Sequence, residues 1–580
     1  MSWTLGLQTG HEASACLLRD GEIVAAISDE RLTRIKNDGG KYNDISINWL
    51  LQYQGLQRSD LTHLAFLYTF FPEKYFYRES WIKEFERKIS RTKKAFSGQE
   101  DPQMLLGNFL DRLAKEGKKF EDHFKQKDFL RDEGFAQADL KFYDHHTVHA
   151  VPAGYFSGFN DCAVVTIDGV GDWDICHTNG LYANGVYERT QLTNQQGASP
   201  GLFYSIITKM LGFKPMRHEG KIVGLAAMGN PQTLRTAYLK ALRVAEDGLT
   251  FTSDFVGAEE PENERAAYLA QVSEGHSRED ISAAVQLVLE ETVTEVIANY
   301  LRKTGKKHLA LNGGVFANVK LNQRLAALPE VDSLFVFPPM SDTGNAVGAA
   351  VMNWLETPTN RAKPVPALHD VYWGPEFTDE QIASYLQAEN LPLNKLETSE
   401  LVDKAAACIH GGKIVGWFQG RMEFGPRALG NRSMLARPTK SDINNWLNDR
   451  LDRSEFMPFA PSVLAEKADE IFIGVEKARH TAEFMTVTFD TKPEWRERIQ
   501  AVVHVDGTAR PQLVRADRNP LYHQLISAYY KLSGIPLVLN TSFNVHEEPI
   551  VCAPPEAIRA FVEKRVDCLA VGNYWLEHTS

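Results

Sequence analysis

The sequence has no long hydrophobic run. None of its uninterrupted apolar stretches approaches the roughly 20 residues that a membrane-spanning helix needs. The first residues, M-S-W-T-L-G-L-Q-T-G-H, lack the basic segment and apolar core of a secretory signal. We therefore expect a cytoplasmic protein with no membrane partner.

Cysteine is scarce, and acidic charge outweighs basic charge. Six of the 580 residues are cysteines and none forms a C-x-x-C pair, which favours reduced, mostly buried thiols. The formal net charge of −12 argues against broad binding to nucleic acid, so we expect no such partner. A local basic cleft for a phosphorylated small molecule stays compatible with this charge.

The bulk composition is that of a folded protein. Hydrophobic residues make up 43 % of the chain and aromatic residues 10 %, which excludes extensive disorder. A chain of 580 residues exceeds what one hydrophobic core usually serves, so we expect two large domains or three smaller ones.

The stretch Tyr143–Ala150, which reads Y-D-H-H-T-V-H-A, contains two histidines four residues apart. On a helix, His145 and His149 would project from one face, a spacing that can chelate one metal ion. Isolated histidine pairs are more often helix caps or hydrogen-bonded core groups. Two carboxylates favour the metal interpretation, because Asp168 and Asp342 each follow an apolar strand and precede a glycine.

We therefore predict a metal site made of His145, His149, Asp168 and Asp342. Two imidazole nitrogens and two carboxylates suit Fe(II), Mn(II) or Zn(II) better than calcium, and Fe(II) is the preferred ion.

Two distant segments share one pattern of short strands and glycine turns. Residues 4–30 predict three strands with a hairpin signal, D-G, and residues 163–187 repeat that plan with N-G. Helical sequence follows each segment, which indicates an internally duplicated α/β domain with a cleft between its halves. Glycine turns that face such a cleft can cradle phosphates with their backbone N–H groups.

Further glycines mark places where a nucleotide can approach the backbone. The segment 218–229 predicts a tight turn around Lys221, although such connections are frequent without ligands. A predicted helix over 280–304 leads into a strand and then N-G-G-V-F-A-N at 312–318, where the glycines carry no Cβ. The segment 335–350 predicts another strand, turn and small-residue helix.

Two stretches interrupt this plan. Residues 66–125 combine aromatics at helical intervals with many basic residues, which indicates an amphipathic helical insertion that we place at about 66–140. Three roles stay open for this insertion: it shapes an acceptor pocket, it forms a dimer surface, or it packs on the sheet as a solvated helix. The Pro- and Thr-containing stretch 356–366 is typical of a linker.

Beyond this linker, basic and amide side chains follow apolar strands. In the segment 414–435 a strand precedes a loop with Arg421, Arg427 and Arg432, and guanidinium groups match phosphate or carboxylate oxygens. The strand in 534–544 ends in short side chains that suit an amide or phosphate ligand: Asn540, Thr541, Ser542 and Asn544. We predict an anion site in this part of the chain.

Nine motifs occur in chain order: G-H-E-A-S-A, D-E-R-L-T-R-I-K, D-H-H-T-V-H-A, T-I-D-G-V-G-D, E-G-K-I-V-G-L-A-A-M-G, N-G-G-V-F-A-N, F-G-P-R-A-L-G-N-R-S, P-F-A-P and N-T-S-F-N. With them the chain resembles, over nearly its whole length, the O-carbamoyltransferases of the nodulation-factor, cephamycin and tobramycin type. The resemblance implies an α/β fold with a duplicated actin/sugar-kinase-like domain at 1–355. It also implies the linker 356–366 and a YrdC-like α/β domain at 367–580.

The resemblance further implies an ATP-dependent O-carbamoyltransferase. The C-terminal domain would form carbamoyl-adenylate from carbamoyl phosphate and Mg-ATP. The N-terminal domain would transfer the carbamoyl group to a hydroxyl of a small molecule, a sugar or a secondary metabolite. The metal would act as template and Lewis acid for the nucleotide phosphate.

Single residues take roles from this resemblance and from the patterns above. His11 matches a general base for the acceptor hydroxyl, a task that suits an imidazole. Lys36 is assigned to the catalytic site, where it would steady phosphate or acceptor. The expected ATP and adenylate contacts are Gly169, Gly171, Lys221, Gly224, Gly313, Gly314, Asn318 and Gly344. The expected carbamoyl phosphate contacts are Arg427, Arg453, Arg510, Asn540, Ser542 and Asn544.

The chain departs from the family pattern beside the expected anion site. Family members often have a lysine and an arginine where this chain has Leu451 and Met457, while Arg453 is retained and Arg450 is nearby. Two alternatives stay open: a tRNA N-threonylcarbamoyl-type transferase, which the acidic charge disfavours, and a non-catalytic nucleotide-binding regulator. The acceptor, the metal and formation of a homodimer are open as well.

Overall fold

The computed structural model of the chain describes residues 2–40, 42, 44–67, 71–77, 124–440, 450, 459–545 and 547–578. Most of the helical insertion predicted at about 66–140 lies outside the described residues. The same holds for Arg453, an expected anion contact, and for Leu451 and Met457.

Five strands form the first mixed sheet: β1 (Trp3–Gln8), β2 (Ser14–Arg19), β3 (Glu22–Ser28), β4 (His63–Leu67) and β5 (Asp139–Tyr143). Their order is β3-β2-β1-β4-β5, with antiparallel pairs among β1, β2 and β3 and parallel pairs among β1, β4 and β5. Asp20 and Gly21 join β2 to β3 with φ angles of 48° and 96°, as the predicted hairpin requires.

The next strands are β6 (Asp161–Ile167), β7 (His177–Ala183), β8 (Val186–Thr193), β9 (Arg243–Val244), β10 (Phe251–Thr252), β11 (His308–Asn312) and β12 (Ser333–Val336). β9 and β10 pair with each other, and the other five form a sheet of order β12-β11-β6-β7-β8. The directions repeat those of the first sheet, strand for strand. The predicted duplication within an α/β fold is therefore confirmed, and we refer to these two units as the first and second copy.

Helices cover and connect these strands: Asp29–Thr33, Ile45–Gln54, Gln126–Asp132, His145–Phe156, Pro200–Met210, Glu219–Ala226, Gln232–Ala241, Pro261–Ser273, Arg278–Thr304, Val319–Ala326, Asn345–Trp354 and Pro358–Arg361. The helix predicted over 280–304 is confirmed. The Ser277 hydroxyl accepts a hydrogen bond from the Asp280 N–H at its start, and Gly305 ends it with a φ of 69°.

The turn predicted around Lys221 is wrong, because these residues form the helix Glu219–Ala226. Ile222 and Leu225 are buried on this helix, which packs beside the helix Arg278–Thr304. The apolar spacing outweighs the glycines as a structural signal. Lys221 and Gly224 therefore stand within a helix and not in a phosphate-binding turn.

Two helices occupy equivalent places in the two copies. The helix His145–Phe156 follows β5, and the helix Asn345–Trp354 follows β12. They pack closely, since a Cβ added to Gly348 would lie 1.9 Å from the Val148 carbonyl oxygen. This contact brings the loop after β12 next to the helix that carries the predicted histidine ligands.

The C-terminal part adds β13 (Val415–Phe418), β14 (Arg432–Ala436), β15 (Ala460–Leu464), β16 (Phe472–Ile473), β17 (Phe489–Thr491), β18 (Thr508–Ala509), β19 (Gln512–Val514), β20 (Leu537–Ser542), β21 (Cys568–Val571) and β22 (Tyr574–Glu577). β16, β17 and β18 form a small sheet, and the other seven form a mixed sheet of order β19-β15-β20-β14-β13-β21-β22. The helices are Asp379–Ala388, Thr398–His410, Ala468–Ile471, Arg479–Ala482, Pro493–Arg496, Pro520–Ser533 and Pro554–Val562.

Short 3-10 helices complete the described chain: Arg58–Asp60, Glu73–Tyr75, Asp172–Asp174, Gln196–Ala198, Gly314–Ala317, Asp342–Gly344, Ala465–Lys467, Glu476–Ala478 and Gln500–Val502. The C-terminal part is α/β, as predicted, and its likeness to YrdC stays a prediction. The same is true of the domain limits 1–355 and 367–580. The predicted linker 356–366 contains one helical turn, Pro358–Arg361.

The hydrophobic core joins the C-terminal part to both copies. One core cluster includes Val165 and Leu311 of the second copy together with Trp417. The core of the first copy also contains residues of the C-terminal part: Met422, Ala428, Ile550 and Cys552. Within the described ranges, no helix has the length and apolar character that crossing a membrane requires.

Candidate active site

Four side chains from three separate segments meet in one place. The Nε2 atom of His149 lies 3.1 Å from Asp168 Oδ2 and 3.2 Å from Asp342 Oδ1. The Nε2 atom of His145 lies 3.4 Å from each of these oxygens and 3.2 Å from His149 Nε2. The structure thus brings together all four predicted metal ligands, with one donor atom of each within 4.8 Å of the others.

The spacing of these donor atoms fits a metal ion. Bonds of about 2.0–2.1 Å place neighbouring ligand atoms roughly 3.0 Å apart at right angles and roughly 3.4 Å apart in a tetrahedron. The histidine–aspartate separations of 3.1 to 3.4 Å fall within this range. The group is shielded from water, with the side chain of His149 0 % exposed and that of Asp342 9 % exposed. These four residues can therefore hold one divalent ion.

His145 begins a helix and His149 lies one turn further along it, whereas the two aspartates follow strands. Asp144 accepts a hydrogen bond from the Thr147 N–H at 3.1 Å and so caps the helix that carries both histidines. Asp168 directly follows β6, and Asp342 lies in the loop after β12. Both strands pair in parallel with β11, so their carboxyl ends reach the same edge of the sheet.

Burial and opposite charge set the protonation of this group. Burial lowers the pKa of His145, but the carboxylates of Asp342 and Asp168 outweigh it and raise this pKa to about 10. The same carboxylates raise the pKa of His149 against the effect of burial. Burial raises the pKa of both aspartates, and the two imidazoles overcome this and lower it. The group thus favours added positive charge, which a metal cation can supply.

Glycines keep space free beside the ligands. A Cβ added to Gly314 would lie 2.9 Å from Asp168 Oδ1, and one added to Gly171 would lie 2.8 Å from the His145 ring. Gly169 donates its N–H to Asp168 Oδ1 at 2.7 Å. These three expected nucleotide contacts therefore border the metal group.

Gly313 and Gly344 are required by close approaches of the backbone. Gly313 has a φ of 104°, and a Cβ there would lie 2.3 Å from the Ile167 carbonyl oxygen. A Cβ on Gly344 would lie 2.0 Å from the Pro339 carbonyl oxygen. Both glycines shape the loops that hold the aspartates, and their contact with a nucleotide stays a prediction.

His11 lies at the open edge of the metal group. Its side chain is 46 % exposed, and its Nδ1 atom lies 3.5 Å from Asp342 Oδ2. The neighbouring Glu12 accepts hydrogen bonds from Asn37 at 2.8 Å and from the Thr343 N–H at 3.3 Å, which joins this turn to the Asp342 loop. The structure places the predicted base beside the metal group and open to solvent, and its catalytic role stays a prediction.

Three other expected phosphate and nucleotide contacts have structural partners. The Lys36 carbonyl oxygen accepts a hydrogen bond from the Arg217 guanidinium. Lys221 is 5 % exposed, and its Nζ lies 5.7 Å from the centre of the Phe213 ring. Asn318 caps the following helix by accepting from the Leu321 N–H at 3.1 Å. The ligand roles of these residues stay predictions.

Expected anion contacts surround the loop that carries Arg427. Asn540, in β20, donates a hydrogen bond of 3.2 Å to the carbonyl oxygen of the residue after Arg427. Gln512, at the start of β19, donates a hydrogen bond of 2.8 Å to the next carbonyl oxygen of the loop. Arg510 precedes Gln512 by two residues. The structure therefore places Arg427, Arg510 and Asn540 in one region of the C-terminal part.

Ser542 and Asn544 turn the chain back after β20. The Ser542 hydroxyl donates to Asn544 Oδ1 at 2.6 Å, and Asn544 Nδ2 donates to the Glu548 carbonyl oxygen at 2.7 Å. Both side chains thus shape the loop, and their contact with carbamoyl phosphate stays a prediction.

The prediction of an anion contact is wrong for Arg432 and stays a prediction for Arg421. Arg432 is 0 % exposed, and its guanidinium donates to backbone carbonyl oxygens at 2.6 to 3.1 Å. Arg421 donates to the carbonyl oxygens of Val24 and Trp373 at 2.9 and 2.8 Å. Backbone carbonyl groups therefore use both Nη atoms of Arg432, and Arg421 fastens β3 to the C-terminal part.

Sequence reasoning missed two amides beside the ligands. Gln8 Nε2 donates to Asp342 Oδ2 at 3.4 Å. Asn345 Nδ2 donates to Asp342 Oδ1 at 3.2 Å and lies 3.3 Å from His149 Nε2. Contacts of this kind orient metal ligands. A signal existed for both, because Gln8 ends the first strand of its copy and Asn345 follows Asp342 by three residues.

Two family descriptions match the chain: "Carbamoyltransferase N-terminus" over residues 3–351 and "Carbamoyltransferase C-terminus" over residues 406–578. The nodulation protein NolNO of Sinorhizobium fredii is 33 % identical over 574 residues, which cover 98 % of this chain and 79 % of that protein. The 3'-hydroxymethylcephem-O-carbamoyltransferase of Amycolatopsis lactamdurans is 26 % identical over 509 residues, which cover 86 % and 87 %.

Among solved structures, HypF of T. kodakarensis aligns with a TM-score of 0.34 and 12 % identity, over 62 % of this chain and 49 % of that one. This likeness is too slight to bear on function. The two family matches together span most of the sequence, and they confirm the resemblance that its motifs predict. The chain therefore belongs to the carbamoyltransferase family, and the protein is a carbamoyl-transferring enzyme.

Proposed function

We propose that the protein is an ATP-dependent O-carbamoyltransferase. In this proposal carbamoyl phosphate and water give carbamate and orthophosphate in the C-terminal part, where a carbamate oxygen attacks the α-phosphorus of Mg-ATP to form carbamoyl-adenylate and release pyrophosphate. The two copies then transfer the carbamoyl group to a hydroxyl of a small molecule. The observation that carries the proposal is the group of His145, His149, Asp168 and Asp342 with the exposed His11 at its edge.

The four ligands would hold a divalent metal, with Fe(II) preferred and Mn(II) or Zn(II) as the next candidates. When bound, such an ion supplies a Lewis acid for the phosphate of the nucleotide. Gly169, Gly171 and Gly314 leave backbone rather than side chains next to the ligands, so a phosphate can come close to them.

His11 would accept the proton of the acceptor hydroxyl. The Asp342 carboxylate lies 3.5 Å from Nδ1, and this favours the tautomer with the proton on Nδ1. The Nε2 lone pair is then available to accept a proton. The hydroxyl oxygen attacks the carbonyl carbon of carbamoyl-adenylate, its proton passes to Nε2, and AMP leaves.

Oxygen is the acceptor atom that the relatives support. The relative named 3'-hydroxymethylcephem-O-carbamoyltransferase acts, by its name, on a hydroxymethyl group. We assign a sugar or a secondary metabolite to this chain as the class of acceptor. Its biosynthetic role would then lie in modifying such a compound.

Carbamoyl phosphate would bind beside the Arg427 loop. A guanidinium fork matches its phosphate oxygens. Asn540 of β20 contacts this loop, and Arg510 stands two residues before β19, whose first residue, Gln512, also contacts it. Ser542 and Asn544 would complete the site, and Arg453 is assigned to it on the sequence pattern alone. Met422 and Ala428, on either side of Arg427, are packed in the core of the first copy, which supports a fixed position for the loop.

One short segment touches both proposed sites, which supports a short route between them. The Gly40 N–H donates to the Gly10 carbonyl oxygen, next to His11, at 2.7 Å. Arg31, earlier in the same segment, donates to the Gly425 carbonyl oxygen at 3.0 Å. A closed route would protect carbamoyl-adenylate, since water hydrolyses it.

The test is to incubate metal-loaded protein with ATP, Mg(II) and carbamoyl phosphate, and to measure AMP and pyrophosphate. Hydroxyl compounds are then added, and carbamoylated products are identified by mass spectrometry. We expect both nucleotide products and a carbamate ester. If the loaded protein releases neither AMP nor pyrophosphate, adenylate formation is wrong. If only amines are carbamoylated, the choice of oxygen is wrong.

A further inference from the structure

Two cysteines face each other in the C-terminal part. Cys408 lies on the helix Thr398–His410, and Cys568 is the first residue of β21. Their Sγ atoms are 3.7 Å apart, and the Cys568 thiol donates toward the Cys408 sulfur. Both are free thiols. The two sulfur atoms must approach further to reach the roughly 2.05 Å of a disulfide bond.

The surroundings make the two thiols unequal. The hydrogen bond from Cys568 lowers the pKa of Cys408 against the effect of burial, and the ammonium groups of Lys413 and Lys404 lower it as well. The hydrogen bond to Cys408 and burial raise the pKa of Cys568. Cys408 is partly exposed, whereas Cys568 is buried. A partly exposed thiol with a lowered pKa therefore stands next to a buried second thiol with a raised pKa.

We propose that Cys408 and Cys568 form a site of reversible oxidation, at which a hydroperoxide produces a disulfide. The Cys408 thiolate attacks one oxygen of hydrogen peroxide, and the O–O bond breaks. This step converts Cys408 into a sulfenic acid and releases one hydroxide ion. Cys568 then attacks the Cys408 sulfur, the S–O bond breaks, and the second hydroxide takes the Cys568 proton. Overall, two thiols and one hydrogen peroxide give one disulfide and two waters.

The other chemistry open to this pair is metal binding together with Glu577, which lies within reach of both sulfurs. Glu577 already accepts hydrogen bonds from Lys413 at 2.6 Å and from the Trp575 indole at 3.2 Å. A cation would have to displace the Lys413 ammonium group or bind beside it. This favours oxidation over metal binding.

The disulfide would tie two distant parts of the chain together. The two cysteines are 160 residues apart in sequence, and Cys568 pairs with Val415 of β13. The link would fasten the helix Thr398–His410 to β21, which lies between β13 and the edge strand β22 of the seven-stranded sheet. A cross-link over such a long loop restricts the unfolded chain, so the oxidised protein should unfold at a higher temperature.

The test uses the full-length protein, treated with hydrogen peroxide and then alkylated under denaturing conditions. We expect peptide mass spectrometry to find a Cys408–Cys568 cross-link, which dithiothreitol removes, and thermal unfolding to shift upward. Cys408→Ser should abolish the cross-link and the shift. The matched control Cys16→Ser, at a buried cysteine in β2, should keep both.

A second variant, Cys568→Ser, keeps the proposal testable if Cys408→Ser fails to fold. In Cys568→Ser, Cys408 lacks its partner, so peroxide should leave a sulfenic acid that dimedone labels at Cys408. Oxidation of Cys408 to a sulfinic acid in the wild-type protein, without a cross-link, would overturn the proposal. So would a bound zinc ion that shields both thiols from peroxide.

Discussion

The two copies share one strand order but differ at the ends of equivalent strands. β1 ends in Gln8, and the exposed His11 stands in the turn that follows, whereas β6 is followed by the carboxylate of Asp168. After the fifth strands, the first copy presents a helix with two histidines, and the second presents Asp342. The common plan places four strand ends around one point. Their different residues decide which end offers side chains that could bind a metal and which faces the solvent.

This comparison separates position from chemistry. A duplicated sheet gives a shared cleft, but it gives no ligand by itself. The first copy contributes two imidazoles and the second two carboxylates, so neither copy alone has the full set. A substitution that gives one copy the residue of the other at a ligand position should therefore remove the metal-binding group while the fold remains.

The largest effect is expected from Asp168→Gln, which gives the second copy the strand-end residue of the first. The variant loses a charged ligand, so we expect metal affinity to fall by more than about 100-fold and carbamoyl transfer to become undetectable. Metal content by elemental analysis and circular dichroism test this. In comparison, Gln8→Ala removes only an amide that orients Asp342, so it should weaken metal binding by no more than about 10–100-fold. An Asp168→Gln protein with full metal content would show that the copies do not share the ion.

The next largest effect is expected from His11→Gln. The amide cannot take up a proton, so transfer to the acceptor should slow by about 10²–10⁴-fold. Release of AMP and pyrophosphate from carbamoyl phosphate and ATP should continue, and metal content should be unchanged, because His11 is outside the ligand set. Parallel assays of pyrophosphate and of carbamoylated product separate the two steps. Equal loss of both would place His11 elsewhere in the mechanism.

A smaller effect is expected from Asn345→Ala, which removes the amide that donates to Asp342. Loss of such an orienting contact typically weakens metal binding by about 10–100-fold. Competition with a coloured chelator measures the change. Asn353→Ala is the control, since this buried asparagine on the same helix donates to Tyr143 instead. Equal losses in both variants would indicate a general packing defect.

The last prediction concerns the stability of the fold in acid. It compares the first residue of the second strand in each copy, which is Ser14 in β2 and His177 in β7. Burial lowers the pKa of His177 to about 4. The unfolded chain, with a histidine pKa near 6.5, therefore binds the extra proton between these values. Stability is full above about pH 6.5 and falls, by up to about 3 kcal/mol, as the pH drops to about 4.

The variant His177→Asn should remove this acid sensitivity. Urea unfolding at several pH values gives the free energy of unfolding at each pH. The slope of this free energy against pH is then compared between the variant and the wild-type protein. A matched control is Ser14→Asn in the first copy, which should leave the slope unchanged. Identical slopes in His177→Asn and the wild-type protein would show that His177 is not the group that titrates.

The metal ligands and the duplication could be predicted because their signals are local. Two histidines four residues apart need only a helix to share a face, and a carboxylate after an apolar run needs only a strand. The hairpin signals at Asp20 and Asn184 likewise depend on neighbouring residues. Agreement between these local signals and the fold explains why the sequence alone could group these four side chains, which the structure brings together.

Tertiary contacts explain what could not be predicted. Arg432 and Arg427 carry the same guanidinium group and lie in the same segment. Only the fold shows that the Arg432 guanidinium donates its hydrogen bonds to backbone carbonyl oxygens. The segment around Lys221 has turn-forming glycines, yet packing against a long neighbouring helix makes it helical. Gln8 contacts Asp342 across 334 positions of the sequence, a pairing that no local pattern contains.

The most direct test of the account is anomalous X-ray diffraction from crystals loaded with Fe(II), Mn(II) or Zn(II), collected at the absorption edge of each metal. One peak is expected per chain, about 2.0–2.2 Å from the donor atoms of His145, His149, Asp168 and Asp342. A peak held by other residues, or no peak at these four side chains with any of the three metals, would contradict the claim that the two copies share one metal ion.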